Sequence, residues 1–125
     1  MTPSEYCYFD YPQKENEQNV QDWMRLTTLE KVYSYEPIPK ELNGEESSYV
    51  LGGQGNVWTE FISNPARVEY MMFPRFTALA EVLWSPKAER NLVDFTERIK
   101  TQFRRYDLWR ANYCRVFLDS TSSAK

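Results

Sequence analysis

The first residues of the chain alternate with a period of two, which is typical of a β-strand. In the run TPSEYCYFDY the side chains fall on two faces, with Tyr6, Tyr8 and Asp10 on one and Cys7, Phe9 and Tyr11 on the other. Pro12 closes the run, because proline has no N–H to donate to a sheet. Residues 13–22 are polar and charged, and we expect them to form a solvated loop.

A second apolar run, YVLGGQGNVWTEFI, surrounds three of the four glycines. We interpret residues 49–58 as a buried strand with close backbone approach at the glycines. Between the two predicted strands, residues 28–35 suit a short helix that Pro37 and Pro39 end. The Gly-x-Gly pattern lacks the third glycine and the later acidic residue of a dinucleotide-binding loop, so it does not favour a cofactor.

The second half of the chain has helical periodicity. Asn64 is a good N-cap, and Pro65 suits the first helical position. Apolar residues then recur every three or four positions, at Val68, Met72, Phe76, Leu79 and Leu83. Pro74 predicts a kink near residues 70–71, and Ser85-Pro86 ends the helix. A further helix over residues 92–105 has an apolar inner face formed by Leu92, Phe95, Ile99 and Phe103.

The order of predicted elements is strand, short helix, strand, long helix, helix. This α/β alternation fits a parallel sheet or part of a barrel. Two strands make a poor sheet on their own, because parallel strands are normally covered on both faces. We expect the last residues, 119–125, to be a disordered tail.

Composition narrows the class of protein. The chain has 125 residues, which suits one domain, and 15 basic against 18 acidic residues, which disfavours a dedicated nucleic-acid binder. No apolar run is long enough to span a membrane, and the N-terminus lacks the basic and apolar regions of a signal peptide, so we expect a soluble chain.

The absence of histidine excludes a Ser/His or Cys/His catalytic pair within the chain. It also excludes a histidine-containing zinc site, and two cysteines cannot form an all-cysteine one, so we predict no metal. Whether Cys7 and Cys114 pair, and in which redox compartment the chain works, both stay open.

Two short segments join an aromatic residue to a carboxylate. Tyr8 and Asp10 end the first predicted strand, and Trp58 and Glu60 end the second. Residues two apart in a strand point to the same face. Both pairs also fall at the carboxyl ends of the strands, where α/β proteins bind ligands. An aromatic ring covers the apolar face of a pyranose, and carboxylates accept hydrogen bonds from hydroxyls, so we predict a sugar subsite.

A structural interpretation of these residues stays open. Trp58 would then belong to the core, and Asp10 or Glu60 would cap a following turn. We would favour that interpretation for a single pair, but two pairs at equivalent strand ends make the interpretations about equal.

Several other residues are given structural roles. Tyr33 and Tyr35 either line the subsite or, as we favour, pack or lie at the surface. We expect Arg75 to be structural, paired with Glu81 or with another residue of the fold. Cys7 is interpreted as a small buried hydrophobic residue without reactivity.

The segments SEYCYFDYPQ, LEKVYSYEPIPKEL, VLGGQGNVWTEFI and VEYMMFPRFTALAEVLWSPK resemble the C-terminal part of a β-N-acetylhexosaminidase of glycoside hydrolase family 20. The resemblance covers the chain to about Tyr113, and its most specific parts are Tyr8-x-Asp10, Trp58-x-Glu60 and the helix from Phe73 to Ser85. It implies that residues 1–118 are the C-terminal portion of a (β/α)₈ barrel, contributing about two strands, the seventh and eighth, with their helices. As an isolated chain, this piece would be rich in helix.

The resemblance also implies roles for the four site residues. Tyr8 would hold the carbonyl of the substrate's 2-acetamido group, and Asp10 would bind sugar hydroxyls around O6. Trp58 would form the wall of the −1 subsite, and Glu60 would bind O4. The family removes terminal β-linked N-acetylglucosamine or N-acetylgalactosamine, with the substrate's own acetamido group as nucleophile and with retention.

The chain departs from the family pattern in one respect that matters for catalysis. It has no Asp-Glu dipeptide, which in the family supplies the general acid/base and the residue that orients the acetamido nitrogen. We therefore interpret the chain as a fragment that is inactive alone, with no cofactor, whose partners are carbohydrate and the rest of the barrel. Its localisation is unknown; the family implies a periplasmic, secreted or lysosomal enzyme.

Two alternatives have no catalytic role. The chain would be a carbohydrate-binding module that uses the same aromatic–carboxylate pairs, or an interaction domain without a ligand. A barrel fragment exposes strand edges and apolar surface, so we expect a homo-oligomer through those surfaces or a rearranged helical packing.

Overall fold

A computed structural model describes residues 2–116, and over that range the chain is mainly helical. The helices are α1 (Ser4–Cys7), α2 (Leu29–Tyr33), α3 (Gly44–Ser47), α4 (Pro65–Met72), α5 (Arg75–Trp84) and α6 (Leu92–Trp109), with a 3₁₀ helix at Lys87–Glu89 between the last two. The prediction of a helix-rich chain is confirmed. The predicted tail at 119–125 lies outside the described residues.

The two predicted strands are wrong, since neither forms within residues 2–116, and the run at 49–58 is not buried, with Tyr49 76% exposed. Residues 4–7 form the turn of α1 instead of extended chain, and the two runs meet at one parallel bridge between Tyr8 and Asn56. There the Phe9 N–H donates to the Asn56 carbonyl at 2.7 Å, and the Asn56 N–H donates to the Cys7 carbonyl at 2.7 Å. Parallel strands are normally part of a sheet that is covered on both faces, and within residues 2–116 the two runs pair only at this bridge.

The short helix α2 agrees with the prediction for residues 28–35. Its N-cap is Thr28, whose Oγ1 accepts from the Lys31 N–H at 3.2 Å. Leu29 and Val32 are fully buried, and α2 packs against α5.

The predicted long helix is divided at Phe73-Pro74, which has a cis peptide bond, into α4 and α5. The break therefore lies slightly beyond the expected kink at residues 70–71. Asn64 is the N-cap of α4 as predicted, with its Oδ1 accepting from the Arg67 N–H at 2.9 Å. The helix predicted over 92–105 is confirmed as α6, and it continues to Trp109 before Arg110 takes a left-handed conformation with φ of 57°.

The core lies between α2, α5 and one face of α6. Its buried members come from residues 7–35 and 78–113: Cys7, Phe9, Leu29, Val32, Tyr33, Tyr35, Ala78, Leu79, Val82, Phe95, Ile99, Phe103, Tyr106 and Tyr113. Tyr33 and Tyr35 are thus packing residues, in agreement with the interpretation we favoured.

Several large apolar side chains remain in contact with solvent. Leu51 is 98% exposed and Trp84 is 89% exposed, so the described residues bury neither of them. Among residues 2–116, no helix has the length and apolar character that crossing a membrane requires.

Candidate functional site

The four side chains that the sequence singled out line one cleft. Tyr8 and Asp10 come from the segment after α1, and Trp58 and Glu60 come from the segment after Asn56. Tyr11 and Trp23 complete the lining of this cleft, which has a volume of about 260 Å³. The parallel bridge between Tyr8 and Asn56 holds the two segments side by side.

Phe9 turns its two neighbours toward the cleft. Its side chain is fully buried, with its ring 4.7 Å from the Phe76 ring in an edge-on arrangement. Successive side chains of extended backbone point to opposite sides, so burying Phe9 directs Tyr8 and Asp10 away from the core. The period-two prediction therefore holds locally, at these three residues.

Gly55 allows the second segment to lie close to the first. A Cβ at this position would lie 2.8 Å from Cε2 of Phe9 and 3.1 Å from Cδ2 of Leu79. Any larger residue would push Phe9 away, so glycine is required by close packing and not by an unusual φ. The predicted close backbone approach at the glycines is present here.

Arg75 lies beneath the cleft and is completely buried. Its guanidinium donates to backbone carbonyls only: those of Phe9, Tyr11, Thr27 and Met71. Burial lowers the pKa of this guanidinium to about 9, which leaves it charged at neutral pH.

The suggested pairing of Arg75 with Glu81 is wrong. Glu81 instead accepts two hydrogen bonds from Arg98, at 2.6 and 2.7 Å, and one from the Tyr33 hydroxyl at 2.9 Å. Positions six apart lie on different faces of a helix, since only residues three or four apart are neighbours. Arg75 is nonetheless structural, as expected.

The Asp10 carboxyl group has a raised pKa, because burial disfavours its charged form. Hydrogen bonds from the backbone N–H groups of Asp10 and Trp58 and the charge of Arg75 act in the opposite direction, while the charge of Glu60 adds to the rise. Within residues 2–116, the buried Oδ1 of Asp10 has no hydrogen-bond partner. A buried carboxylate oxygen is costly when unsatisfied, so this atom is suited to accept a hydrogen bond from a ligand hydroxyl.

The aromatic side of the cleft is partly open to solvent. Trp58 is 54% exposed, with its ring 6.5 Å from that of Tyr8, so it is not a core residue. Trp23 is 59% exposed, with its ring 5.9 Å from that of Tyr11 and 6.4 Å from that of Phe61.

Sequence reasoning missed Tyr11 and Trp23. The alternation placed Tyr11 on the face opposite Tyr8 and Asp10, but a turn in which the Tyr11 N–H donates to the Tyr8 carbonyl at 3.3 Å ends the extended backbone. Trp23 directly follows the polar residues 13–22. A lone tryptophan after such a polar segment was the sequence signal that could have marked it as a residue of the site.

Residues 13–22 are not simply a solvated loop. Gln13 is buried and donates to the Tyr70 carbonyl at 2.6 Å, and Glu17 is buried and pairs with Arg67 at 3.2 Å. The loop is therefore fixed to α4, which defines where Trp23 lies. Hydrophobicity could not predict these contacts, because they join polar groups that are distant in sequence.

Cys7 and Cys114 are both buried free thiols. Burial raises the pKa of Cys7 to about 11, so its thiol stays protonated at neutral pH. This agrees with the interpretation of Cys7 as an unreactive core residue. Within residues 2–116, no cluster of three acidic or cysteine side chains is placed to hold a metal ion.

Comparison with known proteins identifies the family. The model of the glycosyl hydrolase family 20 catalytic domain matches residues 1–87. The chain belongs to glycosyl hydrolase family 20. A β-hexosaminidase of Porphyromonas gingivalis is 41% identical over 85 residues, which are 68% of this chain and 11% of that protein. A β-hexosaminidase of Akkermansia muciniphila is 34% identical over 113 residues, which are 90% of this chain and 22% of that protein.

Solved structures of the family share the fold. A family 20 exo-β-N-acetylglucosaminidase of Vibrio harveyi, in complex with N-acetylglucosamine, superposes with a TM-score of 0.80 at 36% identity, over 90% of this chain and 18% of that one. A family 20 β-N-acetylhexosaminidase of Streptomyces coelicolor also gives 0.80, at 24% identity, which supports the fold alone. The chain therefore corresponds to part of a family 20 barrel; the assignment to the seventh and eighth strands stays a prediction.

Proposed function

We propose that the cleft is part of the −1 sugar subsite of a β-N-acetylhexosaminidase that removes terminal β-linked N-acetylglucosamine or N-acetylgalactosamine. The observation that carries this proposal is the convergence of Tyr8, Asp10, Trp58 and Glu60 on one cleft in a family 20 chain. The chain spans 11% and 22% of the two curated relatives described above, so it would supply one portion of the whole site.

Each lining residue has a role suited to its chemistry. The exposed face of Trp58 stacks on the apolar face of the sugar ring. The unpaired Oδ1 of Asp10 accepts a hydrogen bond from a hydroxyl near O6, and Glu60 accepts one from O4. A pyranose has an apolar face and a rim of hydroxyl groups. The aromatic ring contacts the apolar face and the two carboxylates bind hydroxyls, so together they favour a pyranose over a purely apolar ligand.

Tyr8 acts at the reacting end of the sugar. Its hydroxyl donates to the carbonyl oxygen of the 2-acetamido group and directs that oxygen at the anomeric carbon. The acetamido oxygen forms a bond to this carbon while the glycosidic bond breaks, so the substrate supplies its own nucleophile. Water then attacks the anomeric carbon from the opposite face and breaks its bond to the acetamido oxygen, and the two successive inversions retain the configuration. Protonation of the leaving oxygen needs a general acid that this chain does not contain, since it has no Asp-Glu dipeptide.

The dimensions of the cleft agree with a partial site. Its volume of about 260 Å³ lies below the roughly 300–1,000 Å³ of complete ligand pockets. Trp58 and Trp23 are both more than half exposed, so further chain would be needed to enclose a sugar. The remainder of the barrel is the proposed partner on this side.

Titration with N-acetylglucosamine tests the site. We expect weak, millimolar binding to the 125-residue chain, and Trp58→Ala to weaken it about tenfold through the lost stacking surface. Trp84→Ala is the matched control, because Trp84 is 89% exposed and does not line the cleft. Equal affinities in the two variants would contradict the proposal. Hydrolysis of a chromogenic N-acetylglucosaminide by the chain alone would contradict the statement that it lacks the general acid.

A carbohydrate-binding module without catalysis is the second candidate. This candidate is favoured because the cleft has aromatic and acidic residues suited to a sugar, while the chain has no Asp-Glu pair for catalysis. A submillimolar affinity of the isolated chain for N-acetylglucosamine would support this candidate, because part of a subsite is expected to bind weakly. The exposed Leu51 and Trp84 further favour association between copies, which light scattering would detect.

A further inference from the structure

Arg75 holds the backbone on both sides of Asp10. Its Nη2 donates to the Phe9 carbonyl at 2.6 Å, and its Nη1 donates to the Tyr11 carbonyl at 2.9 Å. The Phe9 carbonyl shares a peptide plane with the Asp10 nitrogen. The direction in which the Asp10 side chain leaves the backbone therefore depends on where the guanidinium lies.

The remaining N–H groups of Arg75 fix the same region to its surroundings. Nη1 also donates to the Thr27 carbonyl at 2.9 Å, while Nε and Nη2 donate to the Met71 carbonyl at 3.2 and 2.5 Å. All five N–H donors of the guanidinium are thus used, each on a backbone carbonyl. An arginine kept only for an ion pair would instead place its fork against a carboxylate.

The segment has little other backbone support. Phe9 donates its N–H to Asn56 across the single bridge, and Tyr11 donates its N–H to Tyr8 within a turn. In a complete parallel ladder, the paired strand would bind the carbonyls of alternate residues, the same residues whose N–H groups it binds. Here Arg75 takes that place for Phe9 and Tyr11, with its guanidinium 5.0 Å above the centre of the buried Phe9 ring.

We propose that Arg75 is a positioning residue for the sugar site: by binding the carbonyls of Phe9 and Tyr11, it fixes the Asp10 carboxylate toward the cleft. Arg75 does not line the cleft, so it acts on the site through the backbone beside Asp10. Lysine cannot replace it, because an ammonium has three donors and cannot make the five hydrogen bonds of the guanidinium. The identity of the ligand in this inference rests on the proposed function. The effect of Arg75 on the position of the Asp10 carboxylate does not.

The test compares Arg75→Lys with Arg90→Lys in the full natural polypeptide that carries this chain. Arg90 also donates to backbone carbonyls, those of Ser85 and Tyr35, but it lies outside the cleft. Three quantities are measured: the free energy of unfolding, the affinity for N-acetylglucosamine, and the pKa of the Asp10 carboxyl group from its ¹³C chemical shift.

For Arg75→Lys we expect an affinity about tenfold lower and a higher pKa of the Asp10 carboxyl group, because the carboxylate loses its hydrogen bond from the Trp58 N–H. Arg90→Lys should change neither quantity, even where it lowers stability. A folded Arg75→Lys variant with the wild-type Asp10 pKa and affinity would overturn the proposal.

Two further observations keep the outcome decisive. If Arg75→Lys does not fold, the wild-type protein is examined by NMR for scalar couplings between Arg75 and the Phe9 and Tyr11 carbonyl carbons across the hydrogen bonds. The presence of these couplings would support the proposal, and their absence would overturn it. If the wild-type protein does not bind N-acetylglucosamine, the proposed function fails, while the Asp10 pKa in Arg75→Lys still decides the role of Arg75.

Discussion

The backbone N–H of Phe9 donates to the carbonyl of Asn56 at 2.7 Å, between two segments that are more than forty residues apart in sequence. Beside this contact, Tyr8 and Asp10 on one segment and Trp58 and Glu60 on the other line the same cleft. A single bridge can set their arrangement because Phe9, Gly55 and Arg75 pack closely beneath it.

Gly55→Ala should lower the free energy of unfolding by about 1–3 kcal/mol, because the new Cβ would overlap the buried Phe9 ring. Urea denaturation measures the change. Gly44→Ala is the matched control, since no atom lies within 4 Å of a Cβ at that position and stability should be unchanged or slightly higher. A Gly55→Ala variant as stable as the wild type would show that the segments are not packed as described.

Sugar binding should depend on pH through Asp10. Burial raises the pKa of this carboxyl group, so affinity for N-acetylglucosamine should fall as pH decreases through a midpoint above the ordinary value of about 3.9. The sign follows because the charged carboxylate accepts a hydrogen bond from a sugar hydroxyl more strongly than the neutral acid does. Calorimetric titration across pH 3–7 is the measurement, and Asp10→Asn should weaken binding and remove this pH dependence. An unchanged pH profile in Asp10→Asn would exclude Asp10 as the responsible group.

Glu81→Gln should destabilise the protein by about 1 kcal/mol at neutral pH, because the half-exposed Arg98 loses one of its two carboxylate partners and keeps only Asp94. Hydrogen bonds from Arg98 and Tyr33 hold the pKa of Glu81 below its usual range. The Glu81 carboxylate therefore stabilises the folded state at pH values above its pKa in the unfolded chain, which is about 4.3. This stabilisation is lost as pH falls through the lower pKa of Glu81 in the folded protein.

The difference in unfolding free energy between wild type and Glu81→Gln should accordingly narrow in acid. Glu97→Gln serves for comparison, since its pair with Lys100 is exposed and contributes little. An equal decrease in the free energy of unfolding in the two variants at neutral pH would show that the Glu81 contacts contribute no more to stability than an exposed ion pair.

Both cysteines should resist thiol reagents in the folded protein and react after unfolding. They are buried free thiols, and the pKa of Cys7 is raised to about 11 by burial. A colorimetric thiol assay with and without urea measures this, and rapid reaction of the native protein would contradict the buried positions.

The chemistry of the site was predictable from local sequence. Aromatic and acidic residues two positions apart share a face of extended backbone, and this geometry holds at Tyr8 and Asp10 although the surrounding strand does not form. Helices α2, α4, α5 and α6 were likewise predicted, because their caps and apolar periodicity are short-range properties.

Residues that depend on distant contacts were not predictable in this way. Trp23 reaches the cleft because Gln13 and Glu17 fix their loop to α4, and Arg75 binds carbonyls instead of Glu81 because the chain folds back over α5. The extent of the strands was likewise set by pairing over long sequence distances.

The sequence by itself determined the residue types of the site, the helical segments and the family resemblance, since these depend on neighbouring positions along the chain. Only the tertiary structure decided that two short segments meet at one bridge, that Tyr11 and Trp23 complete the cleft, and that a buried arginine holds the backbone beside Asp10. The physical reason is that hydrogen bonds and packing between remote residues depend on how the whole chain closes upon itself.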